Sequence, residues 1–153
     1  MITNKTKYAL KALYRLAVLP TDAPVLIAEI AEAEQIPRKF LELILVELKQ
    51  HGLLKSRKGR GGGYSLAKAP EEISLADVLR ITDGPLAPVP CLSKTGYERC
   101  AECRDEASCS VRLGFKEPYG QYVRHLETTT VADVVSQVEH SKHTPEPILR
   151  YSI

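Results

Sequence analysis

The sequence predicts a mostly α-helical fold carrying one small β-hairpin, with a long amphipathic helix in its second half. Three observations predict it. Three amphipathic segments fill the first 52 residues. A basic, glycine-rich stretch, KSRKGRGGGYSL, then lies between two short apolar runs. After residue 109, apolar residues again recur at helical spacing, following an irregular loop that holds all four cysteines.

NKTKYALKALYRLAVLP opens the chain as a helix. Tyr8, Leu10, Leu13, Leu16 and Ala17 share a face, and Pro20 stops the helix. VLIAEIAEAEQI is a second, shorter helix with Ile27, Ile30 and Ala31 inward. PRKFLELILVELKQHG is a third. Pro37 suits its first turn, Gly52 its C-terminal cap, and Phe40, Leu41, Ile44, Leu45 and Leu48 its buried face. Only a few residues separate the second and third helices. Two short helices joined by a tight turn, after a longer one, form a helix-turn-helix arrangement, which is also a common packing motif with no ligand of its own.

LLKSRKGRGGGYSLAK has an apolar start, a basic tip and an apolar return. It predicts strands at Leu53–Ser56 and Gly63–Leu66. Arg57, Lys58, Gly59 and Arg60 form the tip, where glycine allows positive φ and close backbone approach. A P-loop would end in Gly-Lys-Ser/Thr, which is missing, and a dinucleotide fingerprint would need glycine where Tyr64 stands. A basic hairpin beside a helix-turn-helix is a wing, able to reach a phosphate backbone or a minor groove; a merely flexible hairpin is the plainer reading. Ser74 then caps a helix through about Thr82, with Ile73, Leu75, Val78, Leu79 and Ile81 largely apolar. Residues 1–84 thus read as a winged helix-turn-helix DNA-binding domain.

PLAPVPC, with three prolines, leads into a loop over 85–109. Beyond it, Val111, Phe115, Tyr119, Tyr122, Val123 and Leu126 mark the long helix, which Pro118 is expected to kink or break. TTVADVVSQVEH is a last helix. The long helix carries more apolar surface than a small winged domain can cover. Residues 110–140 are therefore expected to make a homodimer, the alternative being packing onto the same chain's core. The tail, 141–153, holds two prolines and is expected to be mobile.

Composition limits the function classes. At 153 residues, 44% hydrophobic and 26% charged, the chain suits one small domain with an appendage. Lys7, Lys11 and Arg15 interrupt the first apolar segment, so neither a secretory signal nor a membrane span is expected, and the cytoplasm is the expected compartment. The net charge of +2 hides an asymmetry. Residues 1–70 hold twelve Lys/Arg against six Asp/Glu, whereas 71–153 hold nine against thirteen. A basic first half suits a polyanion, double-stranded DNA above all, though a solvated surface has the same look.

The cysteines, Cys91, Cys100, Cys103 and Cys109, are spaced C-x8-C-x2-C-x5-C. In a reducing compartment such a cluster argues for metal or redox chemistry rather than structural disulfides. Soft thiolates suit an iron–sulfur cluster (2Fe–2S or 4Fe–4S) or a structural zinc. A metal-free thiol pair is a third option. A thiol enzyme built on Cys-Ala-Glu-Cys lacks the βαβ context it would need, and no His or carboxylate constellation points to other catalysis.

KYALKALYRLAVLP, then IAEIAEAEQIPRKFLELILVELKQHGLLKSRKGRGGGYSLAKAPEEISLADVLRITDG, then the cysteines and TTTVADVV, resemble the Rrf-type bacterial transcription regulators over about residues 1–138. The resemblance implies a homodimeric winged helix-turn-helix regulator of a near-palindromic operator, with DNA affinity tuned in many members by an iron–sulfur cluster near the dimer interface. Cys91 sits where the first loop cysteine is expected, Cys103 and Cys109 match a C-x5-C pair, and Cys100 is an extra. Arg112 occupies the place of a histidine ligand, and Lys7 the place where other members supply an acidic ligand. With those partners missing, the resemblance implies ligation by all four cysteines, or by three with an exchangeable fourth ligand. It places Arg38, Lys39 and Glu42 toward the major groove. Glu42 matches a residue used in site discrimination, though an exposed helix carboxylate looks the same. Lys58 matches a minor-groove arginine of the wing, and Arg60 replaces a proline there. Lys5, Lys7 and Lys55 are candidate phosphate contacts.

Overall fold

A computed structural model describes residues 2–19 and 23–143. The first helix, α1 (Asn4–Ala17), starts where the Thr3 hydroxyl accepts the Thr6 amide. It packs Ala9, Ala12, Leu13 and Leu16 into the main core. Helix α2 (Ile27–Glu34) ends at Gln35, whose left-handed backbone (φ 52°) turns the chain so that Ile36 is buried and Pro37 caps α3 (Arg38–Gln50). That turn completes the helix-turn-helix.

Leu41, Ile44, Leu45 and Leu48 of α3 are buried as expected, each fully burying a side chain worth about 1.5–3 kcal/mol. Phe40 is not. It is 37% exposed at the edge of the core, meeting the Tyr8 ring edge-on at 5.8 Å. The helix closes as a Schellman cap. The Gly52 amide (φ 75°) donates to Lys49 and the Leu53 amide donates to Leu48, while both leucines are buried.

This cap holds Leu53, so strand β1 runs Leu54–Arg57, one residue later than expected. It pairs antiparallel with β2 (Gly63–Leu66), Leu54 opposite Leu66 and Arg57 opposite Gly63. Val25 and Tyr64 exchange two 2.8 Å backbone hydrogen bonds, which seat the hairpin against the start of α2. The result is a winged helix.

Helix α4 (Leu75–Asp83) begins with a Ser74–Asp77 cap. Its far end is tied to the start of α1. The buried Thr6 and Thr82 hydroxyls share a hydrogen bond of 2.5 Å, and Thr3 donates to the Asp83 carboxylate through both backbone and side chain. Helix α5 (Ser110–Thr128) runs through Pro118 without a break. The carbonyl that loses its partner there is Gly114's, at an exposed position where water can reach it, while Val123 and Leu126 anchor the helix below. Helix α6 (Val131–His143) turns back, with Val131 and Val135 joining the main core and the Val131 amide donating to Ile73. Of the 110–140 segment, α5 therefore keeps the open apolar face. The tail expected to be mobile begins at residue 141; α6 covers its first three positions, and the rest lies outside the described residues. Among the described residues, no helix is long and apolar enough to cross a membrane.

Candidate nucleic-acid interface and cysteine loop

The buried row of α3 fixes what the helix shows to solvent. Opposite Leu41, Ile44, Leu45 and Leu48 lie Lys39, Leu43, Val46 and Gln50, with Glu42 at the margin. Arg38 and Lys39 are exposed, and Arg38 Nε pairs with Glu42 Oε1 at 3.3 Å, one turn on. Leu43 is 69% exposed and Val46 44%. The sequence alone does not single these two out. The helical wheel shows them once the core face is centred on 41, 44, 45 and 48, whereas including Phe40 turns that centre away.

The wing joins the same side of the molecule. A cleft between the start of α2 and the hairpin is lined by Leu26, Arg38, Ser56, Arg57, Lys58 and Tyr64, which brings the first residue of α3 beside the cationic strand end. Arg57, Lys58, Gly59 and Arg60 are all exposed, as is Lys55 on β1. Glycine is required at two places. A Cβ on Gly62 would lie 2.3 Å from the Arg57 carbonyl oxygen, and one on Gly63 would lie 2.2 Å from that of Val25. The glycine run thus shapes a tight, docked tip. Lys7 is exposed on α1, while Lys5 is bound at 2.7 Å to Glu47 of α3, so its charge serves helix packing.

The cysteine loop is ordered by polar contacts. A short 3-10 turn, Pro90–Leu92, buries Cys91, and the buried Ser93 hydroxyl accepts the Thr95 and Gly96 amides. Arg99 donates to the carbonyls of Cys103 and Arg104. Asp105 accepts from Ala107 and Ser108, and its carboxyl is held below the usual range first by the Ser108 hydroxyl. Arg112 reaches back from α5 to the Cys91 carbonyl and pairs with Glu106 at 3.2 Å; Glu106 also accepts from Tyr97. At the place of a ligand histidine, a guanidinium therefore fastens the loop.

The thiols come together only in part. Desolvation first, then the neighbouring Cys91 and Cys103 sulfurs and Glu102, push the Cys100 thiol above the ordinary range. Cys109 caps the start of α5. The donor set is chemically suited to iron–sulfur or zinc. Among the described residues, no group of three or more Cys, His, Asp or Glu side chains is gathered as a metal-ligand set.

The loop borders the second open surface. Val111, Phe115 and Tyr122 of α5 are each 51% exposed, with exposed Pro118 between them on the same stripe. Beside the stripe is a hollow of about 560 Å³, lined by Ile2, Leu79, Asp83, Leu86, Phe115 and Tyr119 among others. In Asp83, desolvation raises the carboxyl pKa, but hydrogen bonds from Thr3 and Thr6 with the nearby Lys5 outweigh it, and the group is held below its usual value.

Comparison with known proteins agrees with this geometry. Residues 2–137 match the family described as Rrf2, iron-dependent transcriptional regulator. An rrf2-like HTH-type transcriptional regulator of Rhodobacter capsulatus is 45% identical over 139 residues, covering 89% of this chain and 93% of that protein. The HTH-type transcriptional regulator NsrR of Geobacillus kaustophilus is 34% identical, covering 88% of each. Among solved structures, CymR (YrzC), the global cysteine regulator of B. subtilis, superposes with a TM-score of 0.73 at 26% identity, covering 90% of this chain and 97% of that one.

Proposed function

The chain belongs to the Rrf2 family of transcriptional regulators, and we propose that it works as a homodimer that reads a near-palindromic operator and takes its signal at the Cys91–Cys109 loop through an iron–sulfur cluster. The observation that carries the DNA part is the shared face of α3 and the wing, where Arg38, Arg57 and Lys58 meet at one cleft. Phosphate contacts from Lys7, Lys55, Lys58 and Arg60 would set affinity and its salt dependence; Lys39 and Glu42, in the first turns of α3, would read base edges, an amine to guanine and a carboxylate to cytosine. The open α5 stripe would close against its copy, so that two readers face one duplex.

For the signal, Cys91, Cys100, Cys103 and Cys109 are the residues that would hold the group. A bound cluster would supply a reversible, redox-sensitive crosslink of the loop. This chain's own residues do the rest. Arg112 ties the loop to α5, and the Thr6–Thr82 and Thr3–Asp83 bonds tie the end of α4, where the loop departs, to α1. A change in loop state alters DNA affinity only if those ties are made differently in the two states.

The test is anaerobic purification with a visible spectrum, iron, sulfide and zinc counts per chain, and sedimentation with and without duplex DNA. Broad near-ultraviolet and blue absorption with iron and sulfide, in a dimer, supports the proposal. Colourless protein with about one zinc per chain makes the loop a structural staple. Metal-free protein that still responds to oxidants favours a thiol switch.

A further inference from the structure

The outward face of α3 carries two aliphatic side chains that the fold does not use. Leu43 is the most exposed large apolar residue of the described chain, and Val46 lies one turn beyond it on the same line as Lys39 and Gln50. An exposed leucine alone means little. Its surroundings mean more. Arg38 and Lys39 stand at the start of the same helix, and Arg57 and Lys58 reach the Arg38 cleft from the wing. Glu42, paired with Arg38 at 3.3 Å, stands at the margin of the same face, and the four cations outnumber it. A polyanion suits that excess, and within the major groove of DNA one base carries an apolar group at its edge, thymine with its C5 methyl.

We propose that Leu43 is a specificity-determining residue that packs on a thymine methyl in each half-site, with Val46 flanking it. This rests on the reading that α3 enters the major groove. Geometry supports the order of contacts. Lys39 and Glu42 lie toward the helix start, Leu43 is next along the outward line, and Gln50 is last. A polar pair thus reads one base step and the leucine the adjoining one, so that the preferred half-site pairs a G or C contact with a neighbouring thymine. A residue that gains its contact from an apolar methyl also rejects cytosine there, whose exocyclic amine would be covered without a partner.

The experiment uses the whole protein and finds the operator as its first step. Selection from a library of randomised duplexes gives the preferred sequence. Each thymine of that site is then replaced in turn by deoxyuridine, which lacks only the methyl, and affinity is measured by fluorescence anisotropy. One thymine per half-site should lose about fourfold on replacement, the loss expected for one buried methyl. In Leu43→Ala, whose site is open enough to leave the fold intact, that thymine and its deoxyuridine should bind alike, and the selected sequence should relax at that position alone. If every deoxyuridine site binds as well as thymine, or if the sensitivity persists in Leu43→Ala, the inference is wrong and the patch serves a protein contact. Failure of the underlying reading looks different: no sequence preference emerges from the library at all, and the inference falls with it.

Discussion

Gly63→Ala is the sharpest probe of the wing. At this position an alanine Cβ would lie 2.2 Å from the Val25 carbonyl oxygen and 2.5 Å from its carbon. Ordinary contact needs more than about 3 Å, so β2 must retreat from α2 by about 1 Å, and that cannot leave the paired 2.8 Å hydrogen bonds between Val25 and Tyr64 in place. Losing both costs about 2 kcal/mol. The φ of 143°, open to glycine but hostile to alanine, adds about 1–2 kcal/mol. The expected destabilisation is therefore about 3–4 kcal/mol, a Tm lower by about 6–16 °C for a chain of this size. Gly61→Ala is the control, because its Cβ would meet nothing within 4 Å and only its φ of 74° objects; about 1 kcal/mol is expected there. Thermal and denaturant unfolding read the stability, and anisotropy with a duplex at two salt concentrations reads the wing. Gly63→Ala should weaken DNA binding more than Gly61→Ala, because it detaches Arg57 and Lys58 from the Arg38 cleft. Equal stability losses in the two variants would refute the steric argument, as would a Gly63→Ala protein within about 0.5 kcal/mol of wild type.

Other consequences can be checked with less effort. Replacing Phe115 and Tyr122 together by Asp, on the open α5 stripe, should give a monomer by sedimentation and leave the helical circular dichroism unchanged. Asp83 has a depressed carboxyl pKa, so its stabilising effect is complete above the ordinary value of 3.8 and fades as pH falls below it; wild type should lose more stability than Asp83→Asn on acidification through that range. Gln35→Gly relieves a left-handed non-glycine residue at the helix-turn-helix corner and should raise stability by about 0.5–1 kcal/mol, measured by urea unfolding. Thr82→Val removes the hydrogen bond that the buried Thr6 and Thr82 hydroxyls share and should cost about 1 kcal/mol by the same assay; a neutral result would mean that the α1–α4 tie is not structural.

Much of the fold was legible because its signals are local. Ser74 as a cap, Gly52 as a helix stop and the strand pair around a glycine-rich tip are each decided by a few adjacent residues. The misses came where distant parts of the chain decide. Phe40 has the spacing of a core residue, but Leu41, Ile44, Leu45 and Leu48 fill the buried row of its helix, leaving the ring to lean on Tyr8. Pro118 carries a local penalty that a helix in isolation would not bear; burial of Val123 and Leu126 below it keeps α5 continuous. The return of α6 onto α1 depends on the Ile73–Val131 backbone bond, between residues far apart in sequence.

The candidate site divides along the same line. Charge at the wing tip could be read directly, since a glycine-rich hairpin leaves Arg57, Lys58 and Arg60 nowhere to go but outward. Lys5 could not, because its partner Glu47 stands on another helix and takes up its charge. Leu43 shows the opposite failure. An apolar residue within an apolar-rich helix looks like core until the core's direction is known, and only the burial of Leu41, Ile44, Leu45 and Leu48 turns it outward. For the cysteines, spacing names the donors but not their arrangement. The chain path from the prolines through the Ser93 turn brings Cys100 to Cys91 and Cys103, while Arg112 fastens the loop from α5. A guanidinium at that place cannot act as a ligand, since it keeps its proton; it can instead offset the negative charge that thiolates gather. The same substitution that removes a ligand from the expected set thus adds a counter-charge to the loop, and under the proposed all-cysteine ligation the extra Cys100 would supply the missing donor.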